Sequence, residues 1–343
     1  MWHKGYTHYH TSFHYPKGKR LTPQKLAVDL RKTGAEFVFC AGDHGTFEGD
    51  NYWGLDIREF DAYKEFCGAA STDCDFLFVP TPEIHLMFPP FGERHEHHSC
   101  IPILDYRPKL EPPETRSLAA SFTRDVGKLI TDTHQRGIAL TMNHPYMSFN
   151  SAFGGPNPLH APELYAVDYF ELATLGGEES YFPNDFKLYL AFLANPKSQA
   201  MACCGGVDNA CHPDWLLSGE KGIIPATYLF TPAETSSSED IMAAWNRRKS
   251  YMAYGDLRIE QIAPVPGGEF IETNTHPVIK MSFLSRKKIT ELEIYRNGQE
   301  VYKGGDISSW RDDNPLPGEN RYIVHLTAEN EHLVTSPINY RMK

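Results

Sequence analysis

Three histidines near the start of the chain could bind a metal ion. His8, His10 and His14 lie within one short stretch of the sequence. Two histidines separated by one residue point to the same face of an extended strand, and imidazole is the commonest protein ligand for divalent metals such as Zn²⁺. Because a His-x-His pair also occurs on ordinary amphipathic strands, the pair indicates a metal site only if other ligands join it.

Further histidines and carboxylates follow apolar, strand-like runs along the chain. In a βα barrel, functional side chains sit at the carboxyl ends of the strands, whereas randomly placed polar residues do not. The strand-end candidates are His8, His10, Asp43, His44, Glu83, His98, His144, Asp208 and His212. A cluster of Zn²⁺, Mn²⁺ or Fe²⁺ ions accepts both imidazole and carboxylate, and this number of ligands suits two or three ions.

The residues near His98 leave the choice of ligand open, because His95 and His97 lie beside it. We prefer His98 because it directly precedes an apolar run that is typical of a strand. Among the carboxylates, Glu83 can bridge two ions and Asp208 can complete a coordination shell.

The elements that must position these residues alternate between strand and helix patterns from residue 5 to about residue 235. Apolar, β-branched or aromatic runs predict strands at Gly5–Thr11, Phe37–Ala41, Phe76–Pro80, Ser99–Leu104, Ile138–Met142, Tyr169–Ala173, Ala200–Gly205 and Ala226–Phe230. Helical patterns and capping signals predict helices from Thr22 to Gly34, at Ile57–Ala70, Ser117–Gln135 and Phe186–Leu193, and, with Ser236 and Glu239 as a capping box, at Pro232–Lys249. Seven or eight βα units of this kind favour a closed barrel.

The pattern changes near residue 255, where we place a domain boundary. Beyond it, strand-like alternation is separated by turns, and Asn297-Gly298 is the strongest hairpin signal in the sequence. A chain of 343 residues can form one large domain and one smaller domain. The predicted class is therefore α/β, with a barrel over residues 1–255 and an all-β, sandwich-like domain over residues 256–343.

The composition excludes several classes of protein. With 44 acidic and 33 basic residues, the chain is not expected to bind a nucleic-acid backbone. No apolar run could span a bilayer and the start lacks signal-peptide features, so we expect a cytoplasmic protein without a membrane partner. The seven cysteines lack Cys-x-x-Cys spacing and fit reduced thiols. No Gly-x-Ser-x-Gly elbow, P-loop or dinucleotide-binding turn occurs, which disfavours serine hydrolases, NTPases and dehydrogenases.

Over about residues 5–215, the order and spacing of the candidate ligands resemble the polymerase and histidinol phosphatase (PHP) superfamily. The resemblance implies a distorted (β/α)7 barrel with a di- or trinuclear metal site that mostly hydrolyses phosphoesters. It implies as metal ligands His8, His10, His14, His44, Glu83, His98, His144, Asp208 and His212. The C-terminal region is similar to a branch of the family that carries an appended β-sandwich and includes a hydrolase of aryl carbamates.

Two positions depart from the family pattern. The family usually ends with Asp-x-His, whereas three residues separate Asp208 from His212 here, so the loop must bulge for His212 to reach a metal. His14 lies slightly earlier than the third N-terminal ligand of the family, and a site without it would hold two ions.

The expected function is a metal-dependent phosphoesterase that acts on a small-molecule mono- or diester through a metal-activated water. His212 or His144, if not fully engaged with metal, could protonate the leaving group, and Lys17 and Arg20 are candidates to hold an anionic part of the substrate. One alternative is a metallohydrolase of carbamates, esters or amides. Another is a non-catalytic binding protein whose β-domain carries the function and whose metals are structural. The sequence makes no prediction of the oligomeric state.

Overall fold

The protein is described by a computed structural model, which covers residues 1–10, 22–42, 46–48, 51–53, 60–74, 76–88, 96–102, 122–150, 156–173, 182–199, 201–208, 224–232 and 237–343. Strands dominate these residues. The N-terminal strands are β1 Trp2–His10, β2 Phe37–Gly42, β3 Thr46–Glu48, β4 Asn51–Trp53, β5 Leu77–Met87, β6 Glu96–Cys100, β7 Phe122–Thr123, β8 Thr141–Met142, β9 Tyr169–Ala173, β10 Ala202–Gly205, β11 Pro225–Phe230 and β12 Ser250–Tyr254. The C-terminal strands are β13 Arg258–Ala263, β14 Phe270–Thr273, β15 Val278–Leu284, β16 Glu291–Arg296, β17 Gln299–Gly304, β18 Ser309–Arg311, β19 Gly318–Ala328, β20 Glu331–Thr335 and β21 Ile338–Met342.

Helices lie between some of the N-terminal strands. The α-helices of the described residues are α1 Pro23–Arg31, α2 Phe60–Cys74, α3 Val126–Gln135, α4 Pro145–Asn150, α5 Phe182–Ala194 and α6 Ser238–Asn246, with short 3₁₀ helices at Pro158–His160 and Pro162–Ala166. Helix α1 begins as predicted, because Thr22 accepts a hydrogen bond from the Lys25 amide and Pro23 occupies the first turn. In α6 the capping box is formed by Ser237 and Asp240, one residue later than predicted. Among the described residues, no helix is both long and apolar enough to cross a membrane.

The largest sheet contains 13 strands in the described part of the chain and mixes parallel with antiparallel pairs. In it, β1 pairs with β2 in parallel and with β11 in antiparallel orientation. On one side the sheet continues from β2 through β5 to β6, and on the other from β11 through β12 and β20 into the C-terminal strands. A separate parallel sheet consists of β8, β9 and β10. An isolated parallel bridge between Tyr9 and Val207 joins β1 to the residues after β10.

The prediction of a distorted (β/α)7 barrel is wrong. A barrel of that kind needs parallel strands that close on themselves, whereas β5 pairs antiparallel with β6 and β1 pairs antiparallel with β11. Even β11 and β12, which α6 connects, run antiparallel. The alternation of strand and helix patterns locates elements along the chain but does not select the neighbour or direction of each strand.

The C-terminal part is all-β and sandwich-like, as predicted. Strands β13, β15 and β18 form their own sheet, while β14, β16, β17 and β19–β21 belong to the large sheet. Asn297 and Gly298 both have positive φ, at 49° and 77°, as a type I′ turn between β16 and β17 requires. The large sheet crosses residue 255 through the pairing of β12 with β20, and the domain boundary at that residue stays a prediction.

Aromatic side chains pack one part of the core beneath the sheets. Trp245 of α6 is fully buried and stacks on Tyr169 of β9 with ring centroids 3.6 Å apart. The Trp245 indole Nε1–H donates to the carbonyl of Ala139 at 2.9 Å, and the Tyr169 hydroxyl donates to the carbonyl of Trp245 at 2.8 Å. These contacts fix α6 against β9 and the residues before β8, and so support the strands that carry the candidate site.

Candidate metal centre

His8 and His10 lie near the carboxyl end of β1 and project from the same side of the strand. Their rings are buried, with centroids 5.0 Å apart. The alternation of side chains along an extended strand accounts for this shared orientation. Strand β1 therefore contributes two imidazoles to one buried space.

Two carboxylates approach these imidazoles from different parts of the fold. The amide of Val207 donates to the carbonyl of His8 at 2.7 Å, which brings the next residue, Asp208, beside β1. Asp208 Oδ1 lies 2.6 Å from His10 Nε2, while Glu83 Oε2 lies 3.3 Å from His8 Nε2. Glu83 was predicted to follow its strand after a turn, but it lies within β5, opposite Cys100 of β6.

His144 completes the cluster at the end of β8. Its φ of 29° lies in the left-handed region, at the residue that precedes α4. The ring Nδ1 is 3.1 Å from the Ser148 hydroxyl, and Nε2 is 3.6 Å from Glu83 Oε1 and 3.9 Å from Asp208 Oδ2. Because the two oxygens of Glu83 face different imidazoles, this carboxylate is oriented as a bridge between two ions would be.

Two polar residues of the site were not predicted from the sequence. Glu171 of β9 is buried and accepts hydrogen bonds from His8 Nδ1 at 3.0 Å and from the backbone amide of His144 at 2.6 Å. Asn143 donates from its side chain to Glu83 Oε1 at 2.8 Å. The signal for Glu171 was present in the sequence, because a single acid inside the apolar run Tyr169–Ala173 must find a partner when that strand is buried.

The electrostatics of the cluster favour positive charge. Burial lowers the pKa of His8, but the negative charges of Glu171 and Glu83 outweigh burial and hold this pKa well above its usual value. Burial also lowers the pKa of His10, but the hydrogen bond and negative charge of Asp208 outweigh burial and raise this pKa above its usual value. Burial raises the pKa of Asp208, yet the neighbouring imidazoles of His8 and His10 leave it well below the usual range. Either protonated imidazole or a bound cation would neutralise these carboxylates.

The donor set fits a divalent metal. Ligand atoms of His8, His10 and Glu83 lie within 4.8 Å of one another, and so do those of His8, His144 and Asp208. Nε2 of His8 is buried and has no hydrogen-bond partner within the described part of the chain, although buried polar atoms are normally satisfied. An imidazole nitrogen held in this way beside carboxylate oxygens is the donor that Zn²⁺, Mn²⁺ or Fe²⁺ accepts.

The structure thus brings together five of the predicted ligands: His8, His10, Glu83, His144 and Asp208. His98 was predicted to precede a strand, but it lies inside β6, where its backbone pairs with His85. Beside it, His97 Nε2 is 2.8 Å from the carbonyl oxygen of Pro156. Outside the described residues lie His14, Lys17, Arg20, Asp43, His44, His95 and His212.

Comparisons with known proteins add little to this geometry. No protein-family model matches the chain, and no curated protein matches it. Among solved structures, the chain is similar to fibronectin(III)-like modules of Clostridium thermocellum CbhA, with 13% sequence identity and a TM-score of 0.22. That likeness covers 26% of this chain and 96% of the other, and it is too weak to indicate a shared fold or function.

Proposed function

We propose that this protein is a metal-dependent hydrolase that cleaves a phosphate mono- or diester of a small molecule. The proposal rests on three imidazoles and two carboxylates that converge in one buried space. Among the described residues, Nε2 of His8 has no hydrogen-bond partner there. The order of these residues along the chain, which resembles that of the PHP superfamily, supports phosphate as the group attacked. Membership of that superfamily is part of the proposal.

Each residue of the site has a role in this proposal. His8, His10, Glu83, His144 and Asp208 hold two ions of Zn, Mn or Fe, or three if His14 and His44 contribute, and Asn143 orients Glu83. Bound divalent ions would lower the pKa of an attacking water and polarise the bond that it attacks. His212, or His144 if it is not fully engaged with metal, donates a proton to the leaving group. Lys17 and Arg20 bind the anionic part of the substrate.

The chain offers a matched pair of variants to test metal binding. His10 and His3 are both buried histidines on β1, but His3 lies at the opposite end, where it contacts Glu36 and Thr231. We expect His10→Gln to lower the bound Zn²⁺ or Mn²⁺, measured by elemental analysis, and to abolish hydrolysis of p-nitrophenyl phosphate. His3→Gln should retain both properties. Equal metal content in the two variants would contradict the proposed site.

The choice of substrate separates the proposal from its alternative. The all-β C-terminal part is similar to that of a branch that includes an aryl-carbamate hydrolase, so p-nitrophenyl phosphate and an aryl carbamate should be compared on the same metal-loaded protein. Cleavage of the carbamate alone would replace the phosphoesterase proposal.

We also propose a cytoplasmic location, which is supported by the buried, free thiols of Cys40, Cys67, Cys100, Cys203 and Cys204.

A further inference from the structure

We propose that Glu171 is a positioning residue that fixes His8 and His144 at once and thereby sets the metal affinity of the site. This inference rests on the proposed metal-dependent function. Glu171 is not in the predicted ligand set, and its contacts point to a role behind the ligands rather than on the ion.

The contact with His8 determines which ring nitrogen faces the cluster. The two carboxylate oxygens of Glu171 lie 3.0 and 3.3 Å from His8 Nδ1. A carboxylate only accepts hydrogen bonds, so Nδ1 carries a proton, and in the neutral ring the lone pair that a metal needs is then on Nε2. That Nε2 lies 3.3 Å from Glu83 and 3.7 Å from Asp208, on the side where a metal would bind.

The contact with His144 fixes a strained segment of backbone. The amide of His144 donates to Glu171 Oε2 at 2.6 Å, while its φ of 29° lies in the left-handed region, which is strained for a non-glycine residue. Two residues later, the amide of Tyr146 donates to Asp185 of α5 at 3.0 Å. Two buried carboxylates therefore hold the first turn of α4, and Glu171 is the one that also reaches a ligand ring.

Gly206 shows how closely the chain packs on this contact. A Cβ atom at residue 206 would lie 1.6 Å from Glu171 Oε1 and 2.7 Å from the Cβ of His8. Only glycine leaves room for the carboxylate to reach the ring at this point. Gly206, which follows β10 and lies two residues before Asp208, therefore permits the contact between Glu171 and His8.

The same strand region provides a matched control. Asp168, which directly precedes β9, also bonds a histidine and a backbone amide: it contacts His134 Nε2 at 2.8 Å and accepts from the Leu140 amide at 3.1 Å. It lies three residues before Glu171. A purely structural role for a buried carboxylate should give similar effects at the two positions, whereas a positioning role should affect metal binding only at Glu171.

The test titrates the purified protein, residues 1–343, with Co²⁺ and Zn²⁺ and records the d–d absorption of the Co²⁺ form. In Glu171→Gln one of the two acceptor oxygens becomes an NH2 donor, which cannot accept from His8 Nδ1 or from the His144 amide, and we expect 10- to 100-fold weaker binding. Gly206→Ala displaces the carboxylate without changing its chemistry and should weaken binding in the same direction. Asp168→Asn should bind within about twofold of wild type, with an unchanged spectrum.

The outcomes are distinguishable. Absence of metal binding by the wild-type protein overturns the proposed function together with this inference. Normal binding by the wild type and equal affinity in Glu171→Gln overturn the inference alone. A measurement on the wild type does not depend on a variant folding: ¹⁵N spectra of the metal-loaded protein should show the His8 proton on Nδ1, and a proton on Nε2 would also overturn the inference.

Discussion

His332, where α5 packs against the C-terminal strands, should make the protein less stable as the pH falls from about 6.5 to about 4. The ring of Phe182 stacks on His332 with centroids 4.5 Å apart, and His325 Nε2 lies 3.2 Å from His332 Nδ1. Burial and the neighbouring His325 lower the pKa of His332 from 6.5 to about 4, although Glu293 opposes the shift. The folded protein therefore keeps this ring neutral at a pH where the unfolded chain protonates it.

The sign and size follow from this difference. Between pH 6.5 and pH 4 the unfolded state binds more protons, so the contribution of His332 to the free energy of unfolding is complete above pH 6.5, decreases as the pH falls from 6.5 to about 4, and is constant below that pH. The full shift corresponds to about 3.4 kcal/mol at 1.36 kcal/mol per pKa unit. Because the ring is only partly buried, solvent screening reduces this to about 1.5 kcal/mol between pH 7.5 and pH 4.5.

Urea unfolding of the wild type and of His332→Gln, at both pH values and with a chelator present, measures this contribution. The wild type should lose about 1.5 kcal/mol more than the variant over this interval, since other titrating groups contribute equally to both proteins. Thr327→Val, which alters a hydroxyl 3.5 Å from the ring but keeps the ring, should behave like the wild type. The reasoning is refuted if His332→Gln loses as much stability as the wild type.

Three further predictions concern packing, backbone geometry and metal. Trp245→Phe should cost about 2–3 kcal/mol in urea unfolding, because it deletes buried volume and the hydrogen bond to Ala139, and a loss below about 1 kcal/mol would contradict the packing described. Gly298→Ala should cost about 2 kcal/mol or more by the same assay, because φ is 77° and the new Cβ would lie 2.2 Å from the Leu190 carbonyl oxygen. The control Gly305→Ala adds a Cβ that meets no atom within 4 Å, and its free energy of unfolding should stay within about 0.5 kcal/mol of the wild type. Zn²⁺ at about 100 times its Kd should stabilise the wild type by about 2.7 kcal/mol relative to chelated protein, and an unchanged Tm would contradict a specific site.

The strands of the fold were largely predictable, but their arrangement was not. Strand β9 has the predicted bounds, Tyr169–Ala173, because a short run of large apolar residues between loop signals is sufficient to predict a buried strand. The antiparallel pairing of β5 with β6 depends instead on which edge strand of the sheet is unpaired when the chain after β5 folds back. That is a property of the assembled sheet, and no short segment encodes it.

The candidate site was likewise predictable only in part from the sequence. His8 and His10 share a face because side chains alternate along a strand, which is a local rule that spacing alone reveals. The approach of Asp208 to His10 depends on the bridge between Tyr9 and Val207, which joins segments almost 200 residues apart. The expectation that both residues lie at strand ends placed them in one predicted cluster, since the spacing within either segment could not.

The position of Glu83 inside β5 has a physical consequence for the site. Glu83, His8 and His10 lie on two strands that flank β2, so their backbones are fixed by main-chain hydrogen bonds. His144 and Asp208 follow β8 and β10, and they reach the cluster only when that second sheet docks on β1. The full donor set therefore exists only in the assembled protein, and the free energy of binding a metal at this site would contribute to the free energy of folding.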